Sequence, residues 1–285
     1  MSVLQNKIDF SVIITAKNAN PNGDPLNGNR PRENYDGFGE ISDVCIKRKI
    51  RNRLQDMGEK IFVQSDDRCD DGQKSLHDRA KACEALAKLS KSKNTDRDQF
   101  AKAACEEWID VRSFGQVFAF KGDSVSVGVR GPVSVQQAES MSPVDIVSMQ
   151  ITKSVNGESG KEGKASDTMG SKHKIGFGLY VFHGSINCQL AEKTGFTEED
   201  AEKIKLALET LFENDCSSAR PEGSMEVRRV YWYKHDCKTP NYSSAKIHRL
   251  LNVSLKENID RPRRFEDYDI KLDTLDGISP EVFEG

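Results

Sequence analysis

A run of cations between residues 47 and 53 is the densest group of side chains that could bind an anionic polymer, since five of its seven residues are Lys or Arg. Apolar residues recur through the same stretch at the spacing of an amphipathic helix, which predicts that Lys47, Arg48 and Arg51 point away from the core. Such a basic face suits an RNA or DNA backbone, because each cation neutralises a phosphate and Arg can hold two phosphate oxygens at once. The alternative is a solvated helix surface, which charge runs usually form.

A second group of polar residues lies between 17 and 40 and is crowded with Asn, Pro and Gly, which predicts a long ordered loop. Its backbone N–H groups and short amides could bind an anion, with Lys17, Arg30 and Arg32 alongside, or it could be a plain surface loop. Asp24 and Asp36 could hold a metal ion, but neither stands in a recognised ligand spacing. We therefore expect no metal here.

Two stretches later in the chain could also present polar groups to a ligand. Residues 108–120 place Arg112, Ser113 and Gln116 on a turn beside apolar segments, which could bind a ligand or simply form a hairpin. Residues 174–182 partly match the RNA-recognition-motif (RRM) pattern, but the mismatches favour a glycine hinge that enters an aromatic-rich strand. No nucleophile elbow, zinc-protease motif or P-loop occurs in the sequence, which counts against hydrolase and oxidoreductase chemistry.

The overall charge hides an uneven distribution along the chain. The 285 residues carry 42 Lys and Arg against 45 Asp and Glu, a net charge of −3, yet residues 265–285 alone hold seven acids and one base. The rest of the chain is therefore basic, as an RNA-binding surface requires. No stretch is apolar enough for a membrane span or a secretory signal, and the seven cysteines form no C-x-x-C pair. We expect a cytoplasmic protein with free thiols and without a cofactor.

The elements that must position these groups follow from hydrophobic periodicity and from the breakers between periodic segments. Residues 153–174 hold lysines, glycines and almost nothing apolar, so they should project from the body. Strands are predicted at 8–15, 116–120, 125–129, 133–135, 179–190, 227–234 and 250–255, and helices at 42–58, 75–108 and 197–214. This order of elements predicts an α+β sandwich with one layer of helices.

Four segments carry a resemblance to a known family, and the first two together are specific. They are residues 18–25 (NANPNGDP), 41–51 (ISDVCIKRKIR), 110–116 (DVRSFGQ) and 217–223 (SSARPEG). The sequence resembles the backbone subunit of Cascade, the seventh Cas protein of type I CRISPR systems, in its type I-C (Dvulg) subtype. The similarity extends over nearly the whole chain.

The resemblance implies a hand-shaped α+β protein built on an RRM-like (ferredoxin-like) palm. A helical finger insertion and a protruding thumb hairpin would extend from that palm. The implied boundaries are a palm at about 1–58, 109–152 and 178–264, fingers at about 59–108, a thumb at about 153–177 and an acidic C-terminal tail at 265–285.

The resemblance also implies a function, which is non-catalytic and sequence-independent binding of CRISPR RNA. Several copies would line up along one guide, each thumb reaching the next copy, and would present the guide for pairing with target DNA. The other implied partners are the Cas-five type guide-processing subunit, the large subunit and the small subunit of Cascade, with no membrane. The implied RNA contacts are Lys17, Asn18, Lys47, Arg48, Arg51, Arg112, Ser113 and Gln116, with Met169, Lys172 and Lys174 on the thumb.

An enzyme remains the alternative hypothesis. Related backbone subunits of type III systems cut RNA, and an Asp of the first loop, Asp24 or Asp36, could serve a metal-dependent RNA endonuclease in the same way. The two hypotheses differ in whether target RNA is cleaved when a divalent metal is supplied.

Overall fold

Strands and helices alternate along the chain in the computed structural model, which describes residues 2–90, 96–120, 126–152 and 169–285. The strands are β1 (Ile8–Ala19), β2 (Gly23–Asp24), β3 (Arg30–Pro31), β4 (Phe38–Ile41), β5 (Gly115–Ala119), β6 (Ser126–Arg130), β7 (Val133–Val135), β8 (Ala138–Pro143), β9 (Ile146–Thr152), β10 (Met169–Ile186), β11 (Met225–Lys234), β12 (Leu251–Leu255), β13 (Tyr268–Leu272) and β14 (Glu281–Glu284). The helices are α1 (Asp43–Asp56), α2 (Leu76–Ala82), α3 (Glu84–Ser90), α4 (Arg97–Glu107), α5 (Ile109–Phe114), α6 (Cys188–Thr194), α7 (Glu198–Glu209) and α8 (Ser244–His248). The predicted α+β class is confirmed.

The main sheet is antiparallel and has β1 and β10 at its centre. Its strand order is β14-β11-β1-β10-β8-β4, and β7 and β9 also pair with β10. The register along β1 runs from Ile8 opposite Ile186 to Ala19 opposite Ile175. The β-branched residues of the predicted strand 8–15 suit this position, because a central strand with both faces covered favours them.

Helices α1 and α7 cover one face of this sheet. Ser42 caps α1, since its hydroxyl accepts a hydrogen bond from the Cys45 N–H at 3.3 Å. Ile46, Ile50 and Leu54 recur along α1 on the side that packs into the same core as the inward residues of β1. The described helices include none that is long and apolar enough to cross a membrane.

A second hydrophobic core lies in the segment between α1 and β7. Helices α2 to α5 and the β5–β6 hairpin pack around Phe62 and Phe118, whose ring centroids lie 5.0 Å apart. The strands predicted at 116–120 and 125–129 lie outside the main sheet, because β5 and β6 pair with each other in a separate two-stranded sheet. Strand alternation turns Phe118 and Val127 toward the finger helices, which bury them.

The opposite face of the main sheet is covered by α8 and the β12–β13 hairpin. Ile247 of α8 and Tyr268 of β13 pack there with Ile13, Leu179 and Tyr231 of the sheet. An RRM stacks bases on an open sheet face. In this chain Ile13, Leu179 and Tyr231 on that face are buried under the segment that follows β11, so bases cannot stack on these three residues.

The acidic tail packs on the sheet of its own chain. Strand β14 pairs with β11, and Arg229 forms an ion pair of 3.0 Å with Glu284. Lys205 of α7 pairs with Glu281 at the other end of β14. Part of the negative charge of residues 265–285 is therefore neutralised within the chain.

A group of polar side chains lies between β1, β10 and α8 and includes His183, a histidine with a strongly lowered pKa. The His183 ring stacks on the His248 ring with centroids 4.7 Å apart, and its Nδ1 lies 2.7 Å from the Ser11 hydroxyl. Asp9 is buried nearby, with Oδ2 2.8 Å from Nε2 of His235. Burial, together with the neighbouring His248, lowers the pKa of His183 to about 4.

This low pKa predicts acid sensitivity of the folded state. Between about pH 6.5, the ordinary histidine pKa, and about pH 4, His183 is protonated in the unfolded chain but stays neutral in the folded chain. The free energy of unfolding should therefore fall by about 3 kcal/mol as the pH drops from about 6.5 to about 4, and it should be regained on return to higher pH. Urea titrations at several pH values measure this change in the free energy of unfolding.

The matched controls are two asparagine variants. His183→Asn keeps a polar atom for Ser11 but does not titrate, so its stability should depend less on pH than that of the parent chain. His173→Asn replaces a partly exposed histidine of β10 and should leave the pH dependence unchanged. Equal pH dependence in the parent chain and in His183→Asn would contradict this assignment.

Candidate nucleic-acid interface

The cations of α1 are engaged inside the protein. Nε of Arg51 donates a hydrogen bond to Oδ2 of Asp110 at 2.9 Å, and the Arg51 side chain is only 13% exposed. Its guanidinium carbon also lies 4.9 Å from the centroid of the Phe114 ring. Arg51 projects from the polar side of α1, as predicted from the periodicity, but it does not face open solvent, because Asp110 of α5 and residues 62–63 lie against that side of the helix.

The neighbours of Arg51 on α1 are also paired. Nη1 of Arg48 donates to the Val63 carbonyl at 2.5 Å, and burial followed by the nearby Arg51 charge lowers the pKa of Arg48 below its ordinary value. Nζ of Lys47 lies 3.0 Å from Oδ2 of Asp43, one helical turn away. Lys47 retains part of its surface in solvent, and its pair with Asp43 is the kind that contributes little.

Asp110 is the centre of this network. Its side chain is fully buried, and besides the Arg51 bond it accepts hydrogen bonds from the Phe62 N–H at 2.7 Å and the Val63 N–H at 3.1 Å. One carboxylate thus ties α5, α1 and the start of the fingers together. Asp110 therefore has a structural role in holding α5 and residues 62–63 against α1.

Arg112 and Ser113 are likewise directed inward. Two nitrogens of Arg112 donate to the two carboxylate oxygens of Asp200 at 3.0 and 2.8 Å. Burial alone would raise the pKa of Asp200, but these hydrogen bonds hold it below its ordinary value. Ser113 is fully buried, and Gln116 bonds to the Val117 carbonyl while remaining partly exposed. Of the three predicted residues, Ser113 is fully buried, whereas Arg112 and Gln116 are partly exposed.

The end of β1 places another pair of predicted residues at the surface. Lys17 and Asn18 are exposed, and Asn18 has a left-handed backbone with φ of 53°, a conformation that asparagine tolerates better than most residues. Nζ of Lys174 lies 3.0 Å from the amide oxygen of Asn18. The long loop and β10 thus bring Lys17, Asn18 and Lys174 to one place.

A two-stranded arm extends this surface and consists of β9 paired with residues 169–175 of β10. The register runs from Met169 opposite Thr152 to Ile175 opposite Ile146. The residues between the two strands, 153–168, include most of the predicted thumb and lie outside the described residues. Met169, at the far end of the arm, is 55% exposed.

The arm is joined to the long loop by hydrogen bonds. Nη1 of Arg30 lies 2.7 Å from the Ser148 hydroxyl, which is also 2.9 Å from Nδ1 of His173. Arg30 therefore lies beside the cations of β10. In the part of the chain that the structure describes, four cations here form no ion pair with an acid, namely Lys17, Arg30, Lys172 and Lys174.

The two faces of the arm differ in chemistry. Val147, Met149 and Ile151 project from the same face of β9, and each is at least 40% exposed. On β10, Lys174 and Lys172 are the register partners of Val147 and Met149 and share that face. The arm therefore presents an apolar stripe bordered by lysines.

A cavity of about 420 Å³ opens where β1 ends, and Lys17 and Phe177 line it together with Arg261 and Arg263. Sequence analysis missed the two arginines. The basic sequence Arg-Pro-Arg-Arg at residues 261–264 is visible in the chain. Its proximity to β1 is not, because the two segments are far apart in the sequence.

The two aspartates of the endonuclease hypothesis lie in the long loop, and the carboxylate of Asp24 has local partners. Oδ1 of Asp24 accepts from the Leu26 N–H at 3.2 Å and lies 3.5 Å from an Arg32 nitrogen. Asp36 is exposed on a turn held by Asn34. Among the described residues no three His, Cys, Asp or Glu side chains form a group that could hold a metal ion.

Comparison with known proteins shows the family. The family profile described as CRISPR-associated protein Cas7 matches residues 6–273. The chain belongs to the Cas7 family. A curated relative, the CRISPR-associated protein Cas7 of Haloferax volcanii, is 26% identical over 266 residues, which cover 87% of this chain and 75% of the relative.

Two solved structures are also similar to this Cas7-family chain. One is a chain of a "CRISPR RNA-guided surveillance complex, pre-nicking", with a TM-score of 0.49 and 15% identity over 90% of this chain and 84% of that chain. The other belongs to a "CRISPR RNA-guided surveillance complex", with a TM-score of 0.45 and 15% identity over 80% of this chain and 68% of that chain.

The predicted contact residues of this Cas7-family chain therefore fall into two groups. Arg48, Arg51 and Arg112 bind groups inside the protein. Lys17, Asn18, Lys172 and Lys174 lie at the end of β1 and on the arm, where Arg30 joins them although it was not a predicted contact. These five residues, Lys17, Asn18, Arg30, Lys172 and Lys174, form a partly exposed basic surface, which we call the arm-root surface.

Proposed function

We propose that this Cas7-family chain is a sequence-independent CRISPR RNA-binding subunit that forms the backbone of a type I-C Cascade surveillance complex. The family match over residues 6–273 carries the proposal. The resemblance of segments 18–25 and 41–51 to the type I-C subtype supports the finer assignment. Such a complex would act in the cytoplasm on guide RNA and target DNA.

The arm-root surface supplies the chemistry that a guide strand needs. Its cations are free of acidic partners in the described part of the chain, so each can exchange a counterion for a phosphate without first breaking an ion pair. Contacts of this kind hold the backbone and leave the base edges free. The guide can then select its target DNA by base pairing.

The predicted contacts of Arg48, Arg51, Arg112 and Ser113 with RNA stay predictions. Each of the three arginines has an internal partner that RNA would have to displace. We therefore assign the first RNA contacts to the arm-root surface. Lys47 can join them at low cost, because its partner Asp43 is itself exposed.

The main sheet supports the proposal of an RRM-like palm. The central order β11-β1-β10-β7, with α1 following β1 and α7 lying between β10 and β11, follows the β-α-β-β-α-β plan of ferredoxin-like domains. The arm then takes the place of the thumb. Its apolar stripe, Val147, Met149 and Ile151, gives a neighbouring copy or another Cascade subunit a surface to cover.

Fluorescence anisotropy with labelled RNA tests the RNA-binding proposal. Two single strands of unrelated sequence and equal length should bind with dissociation constants within about threefold of each other. If each protomer neutralises about four phosphates, log K should fall with log salt at a slope near −3 per protomer. A flat salt response, or a strong preference for one sequence, would count against sequence-independent backbone binding.

An RNA cleavage assay tests the non-catalytic role. Guide RNA and complementary target RNA incubated with the chain and Mg²⁺ should stay intact. Asp24→Ala is the control: cutting by the parent chain that this substitution abolishes would establish the endonuclease hypothesis in place of the proposed role.

A further inference from the structure

The cavity at the end of β1 holds an unusual combination of side chains. Six residues give it its chemistry, namely the cations Lys17, Arg261 and Arg263, the acids Asp145 and Asp260, and the aromatic ring of Phe177. Its volume of about 420 Å³ is enough for one nucleotide.

The cations of this cavity are available to a ligand. Arg261 and Arg263 are exposed, as is Lys17, and across the described residues none of the three forms an ion pair. Asp145 and Asp260 line the cavity without neutralising them. Three cations against two acids leave a positive site in which both signs can contact a ligand.

The loop that carries the arginines is held in place by one buried carboxylate. Oδ2 of Asp267 accepts hydrogen bonds from the Arg263 N–H at 2.8 Å and the Arg264 N–H at 3.3 Å. Arg264 turns back and lies 3.0 Å from Oδ1 of the same residue. The backbone that presents Arg263 is thus ordered before any ligand arrives, which lowers the entropic cost of binding.

Phe177 offers a flat apolar surface beside these charges. The residue is half-buried, packs against the cluster that contains Leu179, and also lines the cavity. Aromatic rings beside basic side chains bind single-stranded nucleic acid by stacking on a base while the cations hold its phosphate.

We propose that this cavity binds one nucleotide of a single-stranded RNA, in addition to the contacts at the arm-root surface. The base stacks on Phe177, and Arg261 and Arg263 hold the phosphate. Asp145 and Asp260 would repel a phosphate but can accept a hydrogen bond from the ribose 2′-hydroxyl. This inference rests on the proposed RNA-binding function and adds a subsite to it.

Salt titrations of the full chain test the phosphate contacts. The double variant R261A/R263A should bind a single-stranded RNA about tenfold or more weakly. Its slope of log K against log salt should be shallower by about 1.4, which is two lost phosphate contacts on a single strand. The matched control K74A/K81A removes two exposed lysines of the fingers and should change neither quantity.

Crosslinking tests the stacking contact. RNA that carries 5-iodouridine, irradiated with the chain and mapped by mass spectrometry, should form an adduct at Phe177. Phe177→Ala should weaken binding about tenfold with an unchanged salt slope, and Phe177→Tyr should retain the parent affinity. Thermal melting of each variant separates a lost contact from a lost fold.

The outcomes distinguish this subsite from the proposed function. If the chain binds RNA with a steep salt slope, but R261A/R263A keeps that slope and Phe177 gives no adduct, the subsite is wrong and RNA binding stands. If the chain binds no RNA, both are wrong. If a DNA strand of the same sequence binds and crosslinks equally well, the 2′-hydroxyl contact is overturned.

Discussion

Replacing Asp110 with alanine should lower the free energy of unfolding by about 3 to 5 kcal/mol. The substitution leaves the Arg51 guanidinium buried without its carboxylate, and it removes the acceptor of the Phe62 and Val63 N–H groups. Asp110 is the only acidic partner of Arg51 among the described residues, and a largely buried charge that loses such a partner costs far more than a surface ion pair contributes. Urea denaturation of the full chain, followed by circular dichroism, measures the loss.

The matched control for Asp110 is the acid of the neighbouring pair on α1. Asp43 is 42% exposed in its pair with Lys47, so Asp43→Ala should cost less than about 1 kcal/mol. If Asp110→Ala is as mild as Asp43→Ala, the joint between fingers and palm does not depend on this carboxylate. Replacing Arg51 also breaks its ion pair with Asp110, so weaker RNA binding by an Arg51 variant can result from a less stable fold.

The triple variant K17A/R30A/K174A should weaken RNA binding by about 100-fold or more. Each side chain belongs to the arm-root surface, and a hydrogen bond to a charged group contributes about 1.5 to 3 kcal/mol. The slope of log K against log salt should become shallower by about 2, because three phosphate contacts on a single strand are lost. The weakening should be the same for unrelated RNA sequences.

The matched control removes the same number of charges from another surface. The variant K74A/K81A/R97A changes exposed cations of the fingers, far in sequence from the arm, and should retain the affinity and the salt slope of the parent chain. If both triple variants lose affinity equally, the RNA responds to net charge alone and not to the arm-root surface. Stability of both variants should stay within about 1 kcal/mol of the parent.

Much of the local structure could be predicted from the residues. The β-branched run at 8–15 predicted β1, and Ser42 with the periodic Ile46, Ile50 and Leu54 predicted α1. These features depend on backbone preference, capping and periodicity, which act within a few residues. The family could be inferred from the sequence as well, because each motif that carries the resemblance is a short contiguous segment.

Hydrophobic periodicity could not show which segments cover each face of a helix or strand. It separated the polar face of α1 from the apolar face, but it could not show that Asp110 lies against the polar face. The acid that pairs with Arg51 is 59 residues away along the chain, and the acid that pairs with Arg112 is 88 residues away. Strands β5 and β6 were predicted, but their position outside the main sheet was not, because the choice of sheet depends on residues distant in the sequence.

The sequence by itself determined the family, the α+β class and most helices and strands of this protein. Only the tertiary structure decided which cations lack an acidic partner, because folding places carboxylates beside some arginines and not beside others. An arginine that already pairs with a carboxylate of its own chain is less available to an anionic ligand. Charge is a property of the residue, whereas an unpaired charge is a property of the fold.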